Sequence, residues 1–224
     1  MAEVNGTKPL WPLPRALRAK LALAAEFTAV FVGLPILIVS FKNRVLMIGL
    51  LWLGAFVAYR FTRNLPRIKS DFASLRRNLK PIALRFAVLA PIIAGLTWYF
   101  LPDSFLSLPR AAPGLWLAVM VIYPLLSVWP QEMIYRAFLY HRYAPLFGQE
   151  WGYVAASALA FGYAHMIFLN PLAIAMTAFG GFLFARGYAR HKSLLLVCLE
   201  HALYGCLIFT VGLGRFFYSG AAWQ

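Results

Sequence analysis

Hydrophobic residues follow one another along this chain in long runs, with no period-two alternation of the kind a membrane β-barrel strand shows. Several runs reach the ~20 residues a helix needs to cross a bilayer. They predict spanning helices at about 20–41, 45–61, 81–101 and 114–129. Pro130 interrupts the fourth run, and an amphipathic segment follows at 131–147. Further apolar helices are predicted at about 152–169, 171–189 and 193–213. Polar or turn-forming residues separate these runs, among them Lys42 and Arg44, Pro102 to Pro113, Gly148 to Gly152, Asn170-Pro171 and Arg190-His191-Lys192. The pattern predicts an all-α fold: a polytopic transmembrane helix bundle of about seven to eight helices. A signal peptide is the competing reading of the start. Only Leu21 to Ala25 precede Glu26, too short for a separate apolar region, and the run continues to Phe41.

The organisation that follows is a polar N-terminal segment at 1–19 and N-terminal transmembrane helices over 20–110 with a basic loop at 60–80. A helical core over 111–215 and a tail at 216–224 complete it. No internal repeat or low-complexity segment is visible.

Composition agrees with a membrane setting: 62% of residues are hydrophobic and 12% charged, where a soluble domain carries about 25% charged. The formal net charge of +14 raises nucleic acid as a partner. The basic residues, however, gather in the gaps between apolar runs. Arg60, Arg63, Arg67, Lys69, Arg76, Arg77 and Lys80 face a lone Asp71 across 60–80. This is the positive-inside pattern, and it places the N-terminus, 60–80, 141–149 and 190–192 on the cytoplasmic side. The implied partner is the lipid bilayer with its anionic headgroups, and no nucleic acid. Cys198 and Cys206 lie eight residues apart in one predicted helix, about 12 Å along its axis. That separation is too great for a disulfide between them.

Against this apolar background, a few polar residues stand out. Ionisable groups at membrane depth are costly and tend to be paired and functional. Glu132 and Arg136 are four residues apart on one helix face, in the favourable order for an ion pair. Pro130 is well suited to begin a helix, which would set Glu132 near a positive helix end. His165 shares a helix face with Phe161, one turn before it, and His201 lies in a Leu-rich helix beside Glu200. Alone, the Glu132–Arg136 pair reads equally well as a structural ion pair, and each histidine reads more readily as a hydrogen-bonded packing residue. Together, on three helices, they read as a site facing the bundle interior.

Two chemistries fit. A glutamate and a histidine can activate water for attack on a peptide carbonyl, with Asn170 or His201 stabilising the oxyanion. Two histidines and a glutamate also match a catalytic zinc ligand set, but H-E-x-x-H is missing, so the reading taken here needs no cofactor. No G-x-S-x-G occurs to suggest a serine nucleophile.

The motifs Gln131-Glu132-Met133-Ile134-Tyr135-Arg136, Phe161-Gly162-Tyr163-Ala164-His165 and His201-Ala202-Leu203-Tyr204-Gly205 come in that order on membrane helices. In this they resemble the CPBP family of intramembrane proteases, marked by Glu-Glu-x-x-x-Arg, Phe-x-x-x-His and His-x-x-x-Asn or a similar polar or small residue. The family includes type II CAAX prenyl endopeptidases and bacteriocin-processing and self-immunity proteins. The resemblance spans about 110–215. It implies an intramembrane endopeptidase acting on a membrane-anchored protein or peptide. Glu132 and His165 would activate water, His201 would stabilise the oxyanion and Arg136 would orient the site. Gln131, Phe161 and Asn170 would support them. The short chain with minimal loops resembles bacterial members, so a bacterial inner or plasma membrane is the expected location.

Two positions depart from the pattern. The first Glu of the pair, the water-activating base of the family, is Gln131 here, and a neutral amide is a poor proton acceptor. The last motif position is Gly205, which has no side-chain donor. For Gln131 three explanations stand: Glu132 takes over as base, the chain binds without cleaving, or an inactivating isostere was introduced. The first is adopted, because four costly polar residues remain. A helix rotation of about 100° would be needed to bring Glu132 where the first Glu points. A non-catalytic binding or immunity protein is the alternative, and a proton- or ion-coupled transporter a third reading that lacks any repeat signal.

Overall fold

The computed structural model describes residues 14–65 and 72–217. The segment expected at 1–19, the basic loop at 60–80 and the tail at 216–224 therefore fall partly outside the described residues. Among the described residues there is no strand. The described residues form nine helices: α1 (Arg15–Phe41), α2 (Arg44–Thr62), α3 (Phe72–Phe100), α4 (Ser107–Ala111), α5 (Pro113–Arg142), α6 (Ala144–Phe147), α7 (Trp151–Ala164), α8 (Pro171–His191) and α9 (Leu194–Val211). Six are long and apolar enough to cross a membrane, namely α1, α2, α3 from Leu75 onward, α5, α8 and α9. The protein is a multi-pass helical membrane bundle. Its outer surface is itself apolar. On α3 the exposed residues Leu84, Val88, Ile92 and Leu96 recur every fourth position and form one lipid-facing stripe.

Three connections share one construction. Lys42, Leu169 and Lys192 each end a helical stretch in the left-handed region, at φ of 47°, 51° and 52°. The next residue caps the following helix: Asn43 accepts from the Leu46 N–H at 3.0 Å, and Asn170 from Leu172 and Ala173 at 2.9 and 3.2 Å. Ser193 accepts from Leu196 at 3.4 Å. Satisfying the orphan amides this way lets the chain reverse in two residues.

The interruption expected at Pro130 is not a break. The run at 114–129 and the segment from 131 onward are one continuous helix, α5, to Arg142. Wide π turns at Pro124–Val128 and Met133–Phe138 let the helix pass its prolines. Each proline lacks an N–H and frees the carbonyl four residues back. Neighbouring helices donate to both: Trp52 Nε1 reaches the Leu126 carbonyl at 3.1 Å, and Cys206 Sγ reaches the Met120 carbonyl at 3.9 Å. Glu132 therefore sits in mid-helix rather than near a helix N-terminus. The helix expected at 152–169 ends earlier, at Ala164, and tightens into a 3₁₀ turn over His165–Phe168.

The helices α7 and α8 pack closely through small residues. A Cβ on Gly162 would stand 2.7 Å from the Ala178 Cβ, and one on Gly181 would stand 3.2 Å from the Ala158 Cα. Small-residue faces are how membrane helices bring their backbones together. This contact fixes the end of α7, and with it Phe161 and His165.

Candidate active site

The site is assembled from α5, the end of α7, α8 and α9. Glu132 and Arg136, one turn apart on α5, are both fully buried, at 0% exposure. Arg136 Nε lies 2.9 Å from Glu132 Oε2. Arg136 Nη1 donates to Ser157 Oγ on α7 at 2.9 Å, and Ser157 in turn donates to the Tyr135 carbonyl at 2.7 Å. The guanidinium lies over the Phe161 ring, 4.6 Å from its centroid, and 5.6 Å from that of Phe184. A buried cation is thus neutralised by one carboxylate and covered by two aromatic faces.

The other carboxylate oxygen, Glu132 Oε1, lies 2.8 Å from His201 Nδ1 on α9. With the carboxylate facing Arg136 it acts as acceptor, so Nδ1 carries the proton. The imidazole stacks on Phe184 (centroids 4.8 Å apart, 19° between planes) and meets the edge of Phe161 at 5.6 Å. Its Nε2 lies 3.0 Å from the Tyr123 hydroxyl. Glu200, the neighbour of His201, points elsewhere and pairs with Arg85 of α3 at 2.8 Å.

His165 Nδ1 lies 2.6 Å from the Phe161 carbonyl, which can only accept. The proton therefore sits on Nδ1, and Nε2 keeps a lone pair.

Two apolar cavities, of about 310 and 480 Å³, meet at Ser127, Gln131 and His165, which line both. His201, Tyr123 and Gly205 line the first as well. Glu132 lines neither. Adjacent helix residues point about 100° apart, and that difference decides the roles open to Gln131 and Glu132. Gln131 faces the cavities and donates through Nε2 to Ser127 Oγ at 2.6 Å. The Glu132 carboxylate faces Arg136 and His201.

Of the residues expected at the site, the structure gathers Gln131, His165, His201 and Phe161 at the cavities, with Glu132 and Arg136 behind them. Asn170 stands apart as the N-cap of α8, its side-chain oxygen accepting two backbone N–H groups. Among the described residues no three His, Cys, Asp or Glu converge as a metal site. The His201 nitrogens face Glu132 and Tyr123, and His165 holds the Phe161 carbonyl. Two participants were not foreseen. Ser157 carries no motif. Tyr123 lies eight residues before Gln131, on the same helix face, and that spacing was its only signal in the sequence.

No curated protein and no solved structure shows significant similarity to the chain. The family model described as Rce1-like, type II CAAX prenyl endopeptidase Rce1-like, matches residues 113–207, a little under half of the chain. That stretch holds every residue of the site just described, and the match supports a CPBP family intramembrane protease.

Proposed function

We propose that the chain is an intramembrane endopeptidase that hydrolyses a peptide bond of a membrane-anchored protein or peptide. The observation that carries this reading is the place of His165 and Gln131, where two apolar cavities meet inside a membrane bundle. An endopeptidase needs room for chain on both sides of the scissile bond, and apolar cavities suit a substrate held in lipid.

Water activation falls to His165 rather than to Glu132, whose carboxylate is turned away from the cavities. The His165 Nε2 lone pair takes a proton from water as its oxygen bonds to the substrate carbonyl carbon. The same proton passes to the amide nitrogen as the C–N bond breaks. One water is consumed, and a carboxylic acid and an amine are formed. Gln131 holds the water or the substrate carbonyl through its amide. Glu132 and Arg136 are positioning residues: the first orients His201, and the second anchors Glu132 to α7. His201, held by Glu132 through Nδ1, keeps its Nε2 at the Tyr123 hydroxyl on the cavity wall. The protein works in a bacterial inner or plasma membrane, its N-terminus and basic segments on the cytoplasmic side.

A second reading is favoured by one observation, the neutral side chain of Gln131 beside His165. On this reading the chain is a non-catalytic binding or immunity protein of the same fold. Cleavage of a membrane peptide library by reconstituted protein, read by mass spectrometry, separates the two. Cleavage by the chain with Gln131, lost in His165→Ala, is expected. Cleavage only after Gln131→Glu would support the binding protein with a silenced site. No cleavage by either form would overturn the endopeptidase.

A further inference from the structure

Gly205 lies one turn beyond His201 on α9, on the same face, and both line the first cavity. The space beside it is already filled. A Cβ on Gly205 would fall 2.2 Å from Tyr123 Cε1 and 2.4 Å from the Tyr123 hydroxyl oxygen. No other residue type fits there while Tyr123 keeps its place. The ring is held further by an edge contact with Phe209, centroids 5.3 Å apart. Its hydroxyl lies 3.0 Å from His201 Nε2, and His201 Nδ1 is fixed by Glu132 at 2.8 Å. Tyrosine, imidazole and carboxylate thus form one hydrogen-bonded row running from the cavity into the buried ion pair.

We infer that the Tyr123 hydroxyl is the hydrogen-bond donor of the reaction site for the substrate carbonyl oxygen, and that residue 205 is glycine to admit this ring. The inference rests on the endopeptidase reading and adds a catalytic residue to it. The hydroxyl donates to His201 Nε2, whose lone pair faces it because Nδ1 holds the proton. When negative charge develops on a carbonyl oxygen in the cavity, rotation about the phenolic C–O bond turns the same proton to it. The ring does not move and no proton is transferred. A rigid donor aimed at developing charge in an apolar surround stabilises the transition state more than the ground state. Tyr123 and Gly205 therefore act as a pair, the hydroxyl from α5 serving where α9 has no side chain to offer.

The test uses the full reconstituted chain, in whichever of the Gln131 and Gln131→Glu forms cleaves. Tyr123→Phe keeps the ring and removes the donor. The expected result is a fall in kcat of roughly 100-fold with KM and Tm little changed. Gly205→Asn alone is expected to destabilise the protein, because its Cβ meets the ring. Combined with Tyr123→Ala it has room, and the asparagine amide one turn beyond His201 is expected to restore kcat severalfold over Tyr123→Ala alone. An unchanged kcat in Tyr123→Phe would overturn the donor role while leaving the endopeptidase intact. A joint fall of Tm with a rise of KM would show Tyr123 to be scaffold and also overturn it. Absence of cleavage from both starting forms would instead sink the endopeptidase, and the donor role with it.

Discussion

Glu132 and His201 are joined by a 2.8 Å contact between Oε1 and Nδ1 that ties the middle of α5 to α9. The other oxygen of Glu132 faces Arg136, so one buried carboxylate serves a cation and an imidazole together. Removing it leaves Arg136 charged, fully buried and without its counter-ion. Glu132→Gln is therefore expected to cost about 3–5 kcal/mol of stability, read as a lowered Tm in detergent or bilayer. Arg136→Met in the same chain is expected to recover much of that loss. A Tm unchanged by Glu132→Gln would contradict the pairing described here.

Trp52 supplies the donor that Pro130 cannot. Trp52→Phe should keep the ring contact with Trp129, whose centroid lies 5.6 Å away, and leave the Leu126 carbonyl unpaired. The expected cost is about 1–3 kcal/mol. Pro130→Ala restores a backbone N–H, so the Trp52 substitution should cost less in that background. A double-mutant cycle of thermal or denaturant unfolding measures the difference, and strict additivity would count against the compensation.

At the α7–α8 contact there is no room for a side chain. Gly162→Val is expected to force the helices apart at Ala178 and to lower stability by about 1–3 kcal/mol or more. Cleavage should fall with it, because His165 follows directly on the end of that helix. Gly95 on α3 has nothing within 4 Å of its would-be Cβ, so Gly95→Ala is the matched control. It should be neutral or stabilising by up to about 1 kcal/mol.

Asn170 was expected near the chemistry and stands as a helix cap. Asn170→Ala should lower stability by about 1 kcal/mol and leave kcat of the folded protein nearly unchanged. A large fall in kcat with no change in Tm would return Asn170 to the oxyanion site.

Much of this protein is legible in its sequence, because a bilayer leaves few solutions. A run of apolar residues that must bury its own hydrogen bonds becomes a helix, and polar breaks become connections. The apolar spans and the presence of costly polar residues inside them, Glu132, Arg136 and His201 among them, were therefore readable one residue at a time. The motif order also pointed to the family later supported over residues 113–207. What a one-dimensional pattern could not convey was how helices complete one another. Pro130 reads locally as a break, and only Trp52 from another helix makes it tolerable inside α5. Gln131 and Glu132 are neighbours in sequence. Helix rotation sends one to the cavities and the other to a buried ion pair, and that rotation is set by packing against α7 and α9. Gly205 reads as the loss of a polar group, while the fold brings the Tyr123 hydroxyl from α5 into the space the missing side chain leaves. The sequence by itself determined the helices and the chemical groups available to the site. Tertiary structure alone decided which of those groups face the cavities, because that choice depends on distances between helices far apart in the chain.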